Sequence, residues 1–148
     1  MKLFGRSPER LVSALLKLHV HIIASIRCVF LFRQAFSLLL CYVKKQNPKH
    51  CQVRLRDGVV LHLSGDSSDI VTVYLIFCRR DYGVIKAGTA IIDIGANIGI
   101  FSIYAALNKA SSVHAYEPSE ESFALLQKNI ACNGFEQIIF PHNAVEVE

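Results

Sequence analysis

The chain has 148 residues, 52% of them hydrophobic, which makes one ordinary domain by length, with ample material for a core and no sign of disorder. Its formal charge of +4 is unevenly placed: residues 1–50 carry nine Lys or Arg against the single acid Glu9, hence +8, and the remainder carries seven bases against eleven acids, hence −4. A basic, apolar leading third points to peripheral membrane contact through residues 11–43, weighed against the plainer reading of a solvated helix face, and no nucleic acid is expected. Five cysteines (Cys28, Cys41, Cys51, Cys78, Cys132) contain no C-x-x-C pair, so neither a metal site nor a disulfide framework is readable. Buried, reduced thiols fit a cytoplasmic protein, membrane-associated or not.

From Leu11 to Val43 the sequence is apolar and helix-compatible, and Lys17, Arg27 and Arg33 interrupt it before it reaches the roughly 20 uncharged residues of a membrane span. Arg10, Lys17 and His21 share one helical face and Leu11, Leu15, Leu18 and Ile22 another, which predicts one or two amphipathic helices lying on the domain or on a membrane. A signal peptide is disfavoured because no small-residue cleavage site follows. Residues 1–50 are thus read as a helical segment ending in the linker Lys44-Lys45-Gln46-Asn47-Pro48-Lys49.

Residues 51–83 read as a β-hairpin and a helix. Gln52–Arg56 and Val59–Leu63 alternate around Asp57-Gly58, which predicts a hairpin with a two-residue turn. Ser64–Ser68 offers several N-caps, and Ile70, Val73, Tyr74 and Phe77 have helical spacing although their residue types favour a strand. A helix is the reading adopted, with Arg79-Arg80 at its end and Asp81-Tyr82-Gly83 closing it.

Residues 84–148 carry the most informative stretch. After the Ala87-Gly88 turn, Ala90–Ile94 is an apolar run too short for a helix. It is broken by Asp93, passes through Gly95-Ala96-Asn97, and re-emerges as Ile100, Ile103, Tyr104 and Leu107 at helical spacing. This predicts strand, tight turn and helix. Val113–Tyr116 is a second strand, ended by Glu117-Pro118. Ser119 caps a helix bearing Phe123, Leu126, Gln127 and Ile130, which stops at Asn133-Gly134, and Gln137–Phe140 is a third strand. The alternation implies a parallel sheet, with ligands beyond the carboxyl ends of its strands: at Asp93–Gly99, at Glu117 and at His142-Asn143-Ala144.

A dinucleotide would need G-x-G-x-x-G to lay its pyrophosphate on the helix N-terminus. Here only Gly95 and Gly99 remain, Asn97 occupies the closest-approach position, and Asp93 would repel an anion. A cationic nucleoside cofactor such as S-adenosylmethionine, with its ammonium and sulfonium, reverses that sign, and Glu117 is placed for both ribose hydroxyls.

Asp93-Ile94-Gly95-Ala96-Asn97-Ile98-Gly99 with Ser102, then Val113-x-Ala115-Tyr116-Glu117-Pro118, then Leu126-x-x-Asn129-x-x-x-Asn133, resembles the FkbM family of S-adenosylmethionine-dependent methyltransferases over about residues 52–148, including the segment Asp69–Tyr82. The resemblance implies a class I, Rossmann-like α/β fold preceded by the hairpin and N-terminal helices. Asp93, Gly95, Ala96, Asn97 and Gly99 would surround the methionine part, Glu117 would hold the ribose, and Asn143 or Ala144 would lie near the adenine. It also implies O-methylation of a sugar or other small hydroxyl-bearing acceptor. Such folds have about seven strands and this chain has three, so a truncated sheet is expected, with an unpaired edge on its first strand, exposed helix faces unless residues 11–43 or another chain cover them, and marginal stability. The catalytic base is unassigned.

Each feature has a plainer reading. Asp93 could simply cap the turn and Asn97 tolerate a left-handed backbone. Asn129 and Asn133 are expected as helix-surface and C-cap residues, and His114 as packing within a strand. His142, at a strand end, is the one histidine worth testing as a base. A non-catalytic cofactor-binding module stands as the second hypothesis, and a nicotinamide-dependent oxidoreductase is disfavoured by Asp93 and the missing glycine.

Overall fold

The computed structural model describes residues 8–144 and, within the first helix, side chains from Leu18 onward. Two helices lead. Helix α1 spans Pro8–Leu31 and α2 spans Ala35–Lys44, where Lys45 turns left-handed (φ 50°) and its N–H returns to the Cys41 and Tyr42 carbonyls. Helix α1 packs through Ala24, Cys28 and the following Phe32, whose ring meets Phe77 edge-on at 5.8 Å. Among the described residues, no helix is long and apolar enough to cross a membrane.

Strands β1 (Gln52–Arg54) and β2 (Val60–His62) form the expected antiparallel hairpin, but its turn is longer than the two residues read from Asp57-Gly58. The Leu55 N–H reaches the Val59 carbonyl at 2.8 Å, leaving Arg56-Asp57-Gly58 as a three-residue loop with Gly58 at φ 104°. A single glycine in the loop's last position supports that form as readily as the shorter turn.

The outer edge of β2 would leave backbone groups unpaired, and two side-chain amides satisfy them. Asn129 accepts from the His62 N–H (2.7 Å) and donates to the His62 carbonyl (2.9 Å), and Asn133 does the same at Val60 (2.8 and 2.7 Å). Spaced four apart on helix α5 (Glu120–Ala131) and its continuation, the two amides face alternate residues of the strand. This corrects the surface and C-cap reading: Asn129 is fully buried and also donates to the Ile98 carbonyl at 2.9 Å.

Helix α3 (Ser67–Val73) starts at Asp66, whose carboxylate accepts from the Ser68 N–H at 2.7 Å. It continues as a π-helical segment, Tyr74–Arg79, so the helical spacing prevailed over strand-like residue types. The segment ends at Arg80 (φ 61°), three residues before Gly83, and Arg79 pairs with Asp81 at 3.2 Å. Asp69, buried, accepts from both the N–H and the hydroxyl of Ser64 (2.6 and 2.7 Å), tying the hairpin exit to the helix.

Strands β3 (Ala90–Ile94), β4 (Ser112–Glu117) and β5 (Ile139–Asn143) form a parallel sheet in that order, joined through α4 (Ile100–Leu107) and α5, the Rossmann-like α/β arrangement. Strand β5 begins two residues later than the expected Gln137–Phe140 and runs three residues past its end. It runs through Pro141, which an edge strand tolerates because one side needs no N–H, and its register pairs Ile139 with Val113 and Asn143 with Glu117. His142 and Asn143 therefore belong to the strand.

The outer edge of β3 is unpaired among the described residues, in keeping with expectation. The helix faces, in contrast, are covered: α4 buries Ile100, Ile103, Tyr104, Ala105 and Ala106, with Tyr104 against Phe77 of the π-helical segment at 5.3 Å. What stands open is the sheet's second face, where Ile92 and Ile94 are 69% and 84% exposed. Of the cysteines, Cys28 and Cys78 are buried, Cys41 and Cys51 half-buried, and Cys132 exposed, so burial holds for only two of the five.

Candidate functional site

The β3–α4 turn is built from three left-handed residues, Gly95 (φ 74°), Asn97 (φ 50°) and Gly99 (φ 85°). Gly95 and Gly99 are needed for different reasons. A Cβ on Gly99 would stand 2.5 Å from Leu126 Cδ1, so glycine here permits the close approach of α5, whereas a Cβ on Gly95 would meet nothing within 4 Å. The backbone at Gly95 faces open space, which is the property a ligand cradle requires.

The turn is anchored to the end of β4. The Gly95 and Ala96 N–H groups both donate to the Tyr116 carbonyl (2.9 and 3.0 Å), and the Asn97 N–H donates to Glu117 Oε2 at 2.7 Å. The other oxygen, Oε1, accepts from the Ser119 N–H at 2.9 Å. Glu117, only 7% exposed, thus holds the turn against the start of α5 and retains one lone pair on each oxygen. Asp93 accepts from the hydroxyl of the buried Ser102 at 2.6 Å. Burial pushes the Asp93 carboxyl above its ordinary value, the Ser102 hydrogen bond partly offsets this, and the negative charge of Glu117 adds to the rise.

Asp93, Gly95, Ala96 and Asn97 line a single pocket of about 250 Å³ with Ile94, Ile98 and Ile100, and its other walls are Thr72 and Ile76 of the α3–π segment, Tyr82, and Phe101 of α4. No basic side chain lines it. A carboxylate in this lining, with the charge of Glu117 nearby and no cation beside it, fits a positively charged ligand and disfavours a pyrophosphate. Larger cavities lie elsewhere, along α2 and the hairpin and between Leu63 and Lys128, but neither contains a residue of the turn.

Gly99 is buried under Leu126 and sets the backbone without facing the pocket. Asn143 stands at the end of β5 opposite Glu117, and the Ala144 N–H donates to the Glu117 carbonyl at 3.2 Å, so both lie one strand beyond the pocket. His142 belongs to the opposite face of the sheet. Its Nε2 shares a hydrogen bond with His114 Nδ1 (3.1 Å) and its ring stacks on Tyr116 at 4.5 Å, on the side of the sheet that carries exposed Ile92. His114 packs as expected, with Phe140 stacked at 5.3 Å.

Sequence reasoning did not single out Thr72, Ile76, Tyr82 and Phe101. Tyr82 and Phe101 lie with ring centroids 5.2 Å apart, and the Tyr104 hydroxyl holds the adjoining loop by donating to the Gly83 carbonyl at 3.1 Å. The available signal was the short separation of Tyr82 from the turn, but facing Phe101 depends on the π-helical segment above it.

No family model matches the chain. The 31-O-demethyl-FK506 methyltransferase FkbM of Streptomyces tacrolimicus is 33% identical over 82 residues, which cover 52% of this chain and 32% of that protein. The match therefore spans about a third of the relative's length, and the resemblance to FkbM methyltransferases is borne out over that part. Solved structures with similar folds include Trm5b from Pyrococcus abyssi (22% identity, TM-score 0.49, covering 68% of this chain and 31% of that one). The C-terminal domain of precorrin-6Y C5,15-methyltransferase from Rhodobacter capsulatus is similar at 20% identity and a TM-score of 0.44, covering 51% and 39%. TYW2 of P. horikoshii, in complex with MeSAdo, is similar at 29% identity and a TM-score of 0.41, covering 45% and 25%.

Proposed function

We propose that this FkbM-related chain binds S-adenosylmethionine between the β3–α4 turn and the end of β4, with residues 84–148 as the cofactor-binding part of a methyltransferase. The observation that carries the reading is Asp93, a carboxylate that lines a pocket with no base and is repelled by the negative charge of Glu117 nearby. An ammonium or sulfonium relieves that repulsion, and NAD or FAD would add to it. Asp93, oriented by Ser102, would take the ammonium. Gly95, Ala96 and Asn97 would follow the methionine part, Gly99 would set the turn, and Glu117 would accept from the ribose hydroxyls with its free lone pairs. Asn143 would reach the adenine from the neighbouring strand end.

When bound, the cofactor would supply an electrophilic methyl on a cationic sulfur. The chain's own part is to hold and orient it, with Tyr82 and Phe101 as the aromatic wall of the pocket. The relative's name specifies an O-demethyl acceptor, which supports an oxygen of a sugar or other small hydroxyl-bearing molecule as the methylated atom.

A second reading, a cofactor-binding module that performs no transfer, is favoured by one observation: the pocket is lined by no histidine or lysine able to take the acceptor's proton. Calorimetric titration tests binding, and methyl transfer from labelled cofactor to hydroxyl-bearing acceptors separates the two readings. Binding with transfer supports the enzyme, binding without transfer supports the module, and no binding by folded protein removes both.

A further inference from the structure

The solvent-facing side of α1 is apolar where a surface helix is ordinarily polar. Leu18, Ile22, Ile26, Val29 and Phe30 recur at helical spacing on the side opposite the buried Ala24 and Cys28. Ile22 and Ile26 are each 52% exposed and Phe30 is 74% exposed. Nothing among the described residues covers this stripe.

A basic cluster adjoins its end. Phe32 and Leu55, both buried, form an antiparallel bridge flanked by hydrogen bonds from the Arg33 N–H to the Arg54 carbonyl (3.1 Å) and from the Arg56 N–H to the Leu31 carbonyl (2.8 Å). Because side chains alternate along extended chain, the inward Phe32 and Leu55 turn Arg33, Arg54 and Arg56 outward, and all three are exposed. Arg56 Nε also donates to the Val29 carbonyl at 3.0 Å, which places that arginine against the stripe itself. No acidic residue occurs from Arg10 through Arg56. The nearest, Asp57, uses an oxygen to accept from the Val59 N–H at 3.2 Å, and none of the three arginines is in an ion pair among the described residues.

The geometry points to the surface of an anionic lipid bilayer as the partner of this face, with α1 lying in the interface, its apolar stripe among the acyl chains and Arg33, Arg54 and Arg56 on phosphate and carboxylate headgroups. An exposed apolar stripe bordered by unpaired cations is the composition of an interfacial helix. Self-association through the same face is opposed by charge, since two copies would bring together segments of net +8. Crossing the bilayer is opposed because, among the described residues, no helix is long and apolar enough to span it.

The test is flotation of the full chain with phosphatidylcholine vesicles, with and without about a third of phosphatidylserine, across a salt series. The expected result is binding at least about tenfold tighter to the anionic vesicles and lost progressively with salt. The triple variant Arg33→Gln, Arg54→Gln, Arg56→Gln should lose about tenfold or more on anionic vesicles, and Ile26→Ser with Phe30→Ser should stop flotation at every salt concentration, each with a far-UV circular dichroism spectrum like that of the parent. The salt series on the unaltered chain keeps the test independent of how the variants fold. Failure of the folded chain to float with anionic vesicles, flotation indifferent to salt and to both variants, or a dimer in sedimentation that Phe30→Ser makes monomeric would each overturn the proposal.

Discussion

The two faces of the parallel sheet are made by the same three strands and have opposite character. On the face covered by α4 and α5, Val113, Ala115 and Ile139 are buried, and among them come the carboxylates Asp93 and Glu117. On the other face Ile92 and Ile94 stand in solvent beside a row of aromatic rings from Phe140 through His114 and His142 to Tyr116. A fold governed by burial alone would put the acids out and the isoleucines in. The inversion leaves the carboxylates on the covered face and the apolar side chains of the other face open to solvent.

Breaking the covered side should have the largest effect. Replacing Asn129 by Ala leaves the Ile98 carbonyl and both backbone groups of His62 without partners, and a loss of about 3 kcal/mol is expected in denaturant unfolding. Next comes Gly99→Ala, which combines left-handed strain with overlap of Leu126 and should cost about 2 kcal/mol in the same measurement.

Asp93→Asn separates stability from function. Because the folded-state pKa of Asp93 is raised by burial, its ionised form opposes folding, and that cost is fully present above the folded pKa and disappears as pH falls below the ordinary aspartate value. The variant should therefore be as stable as the parent or slightly more so at neutral pH, while affinity for a cationic cofactor drops about tenfold or more. In the unaltered chain, calorimetry over a pH series should find affinity weakening as pH falls through the raised Asp93 pKa. The smallest effect belongs to the open face: Ile92→Thr should change stability by no more than about 0.5 kcal/mol, and a large loss would show that the face is already covered.

What was legible in the sequence follows the range of each interaction. The apolar run to Ile94, the glycines of the turn and the Ser119 cap are set by neighbours within a few residues, and they were read correctly. The roles of Asn129 and Asn133 depend on a strand edge 67 and 73 residues away, and nothing in a helical pattern reports that. Pro141 hid the second half of β5, because a proline is tolerated there only on account of the edge position. The π-helical segment, which brings Ile76 to the pocket, leaves no compositional trace. Periodicity identified two faces on α1 but not which of them packs. The structure resolves this in favour of the small residues Ala24 and Cys28, because they allow close approach.

The central claim is that Asp93 and Glu117 make this turn a site for a cationic nucleoside cofactor. Parallel calorimetric titrations of the folded chain with S-adenosylmethionine and with NAD test it most directly. The account predicts heat with S-adenosylmethionine that Asp93→Asn greatly weakens, and none with NAD. Silence with S-adenosylmethionine, or equal binding of NAD, would contradict it.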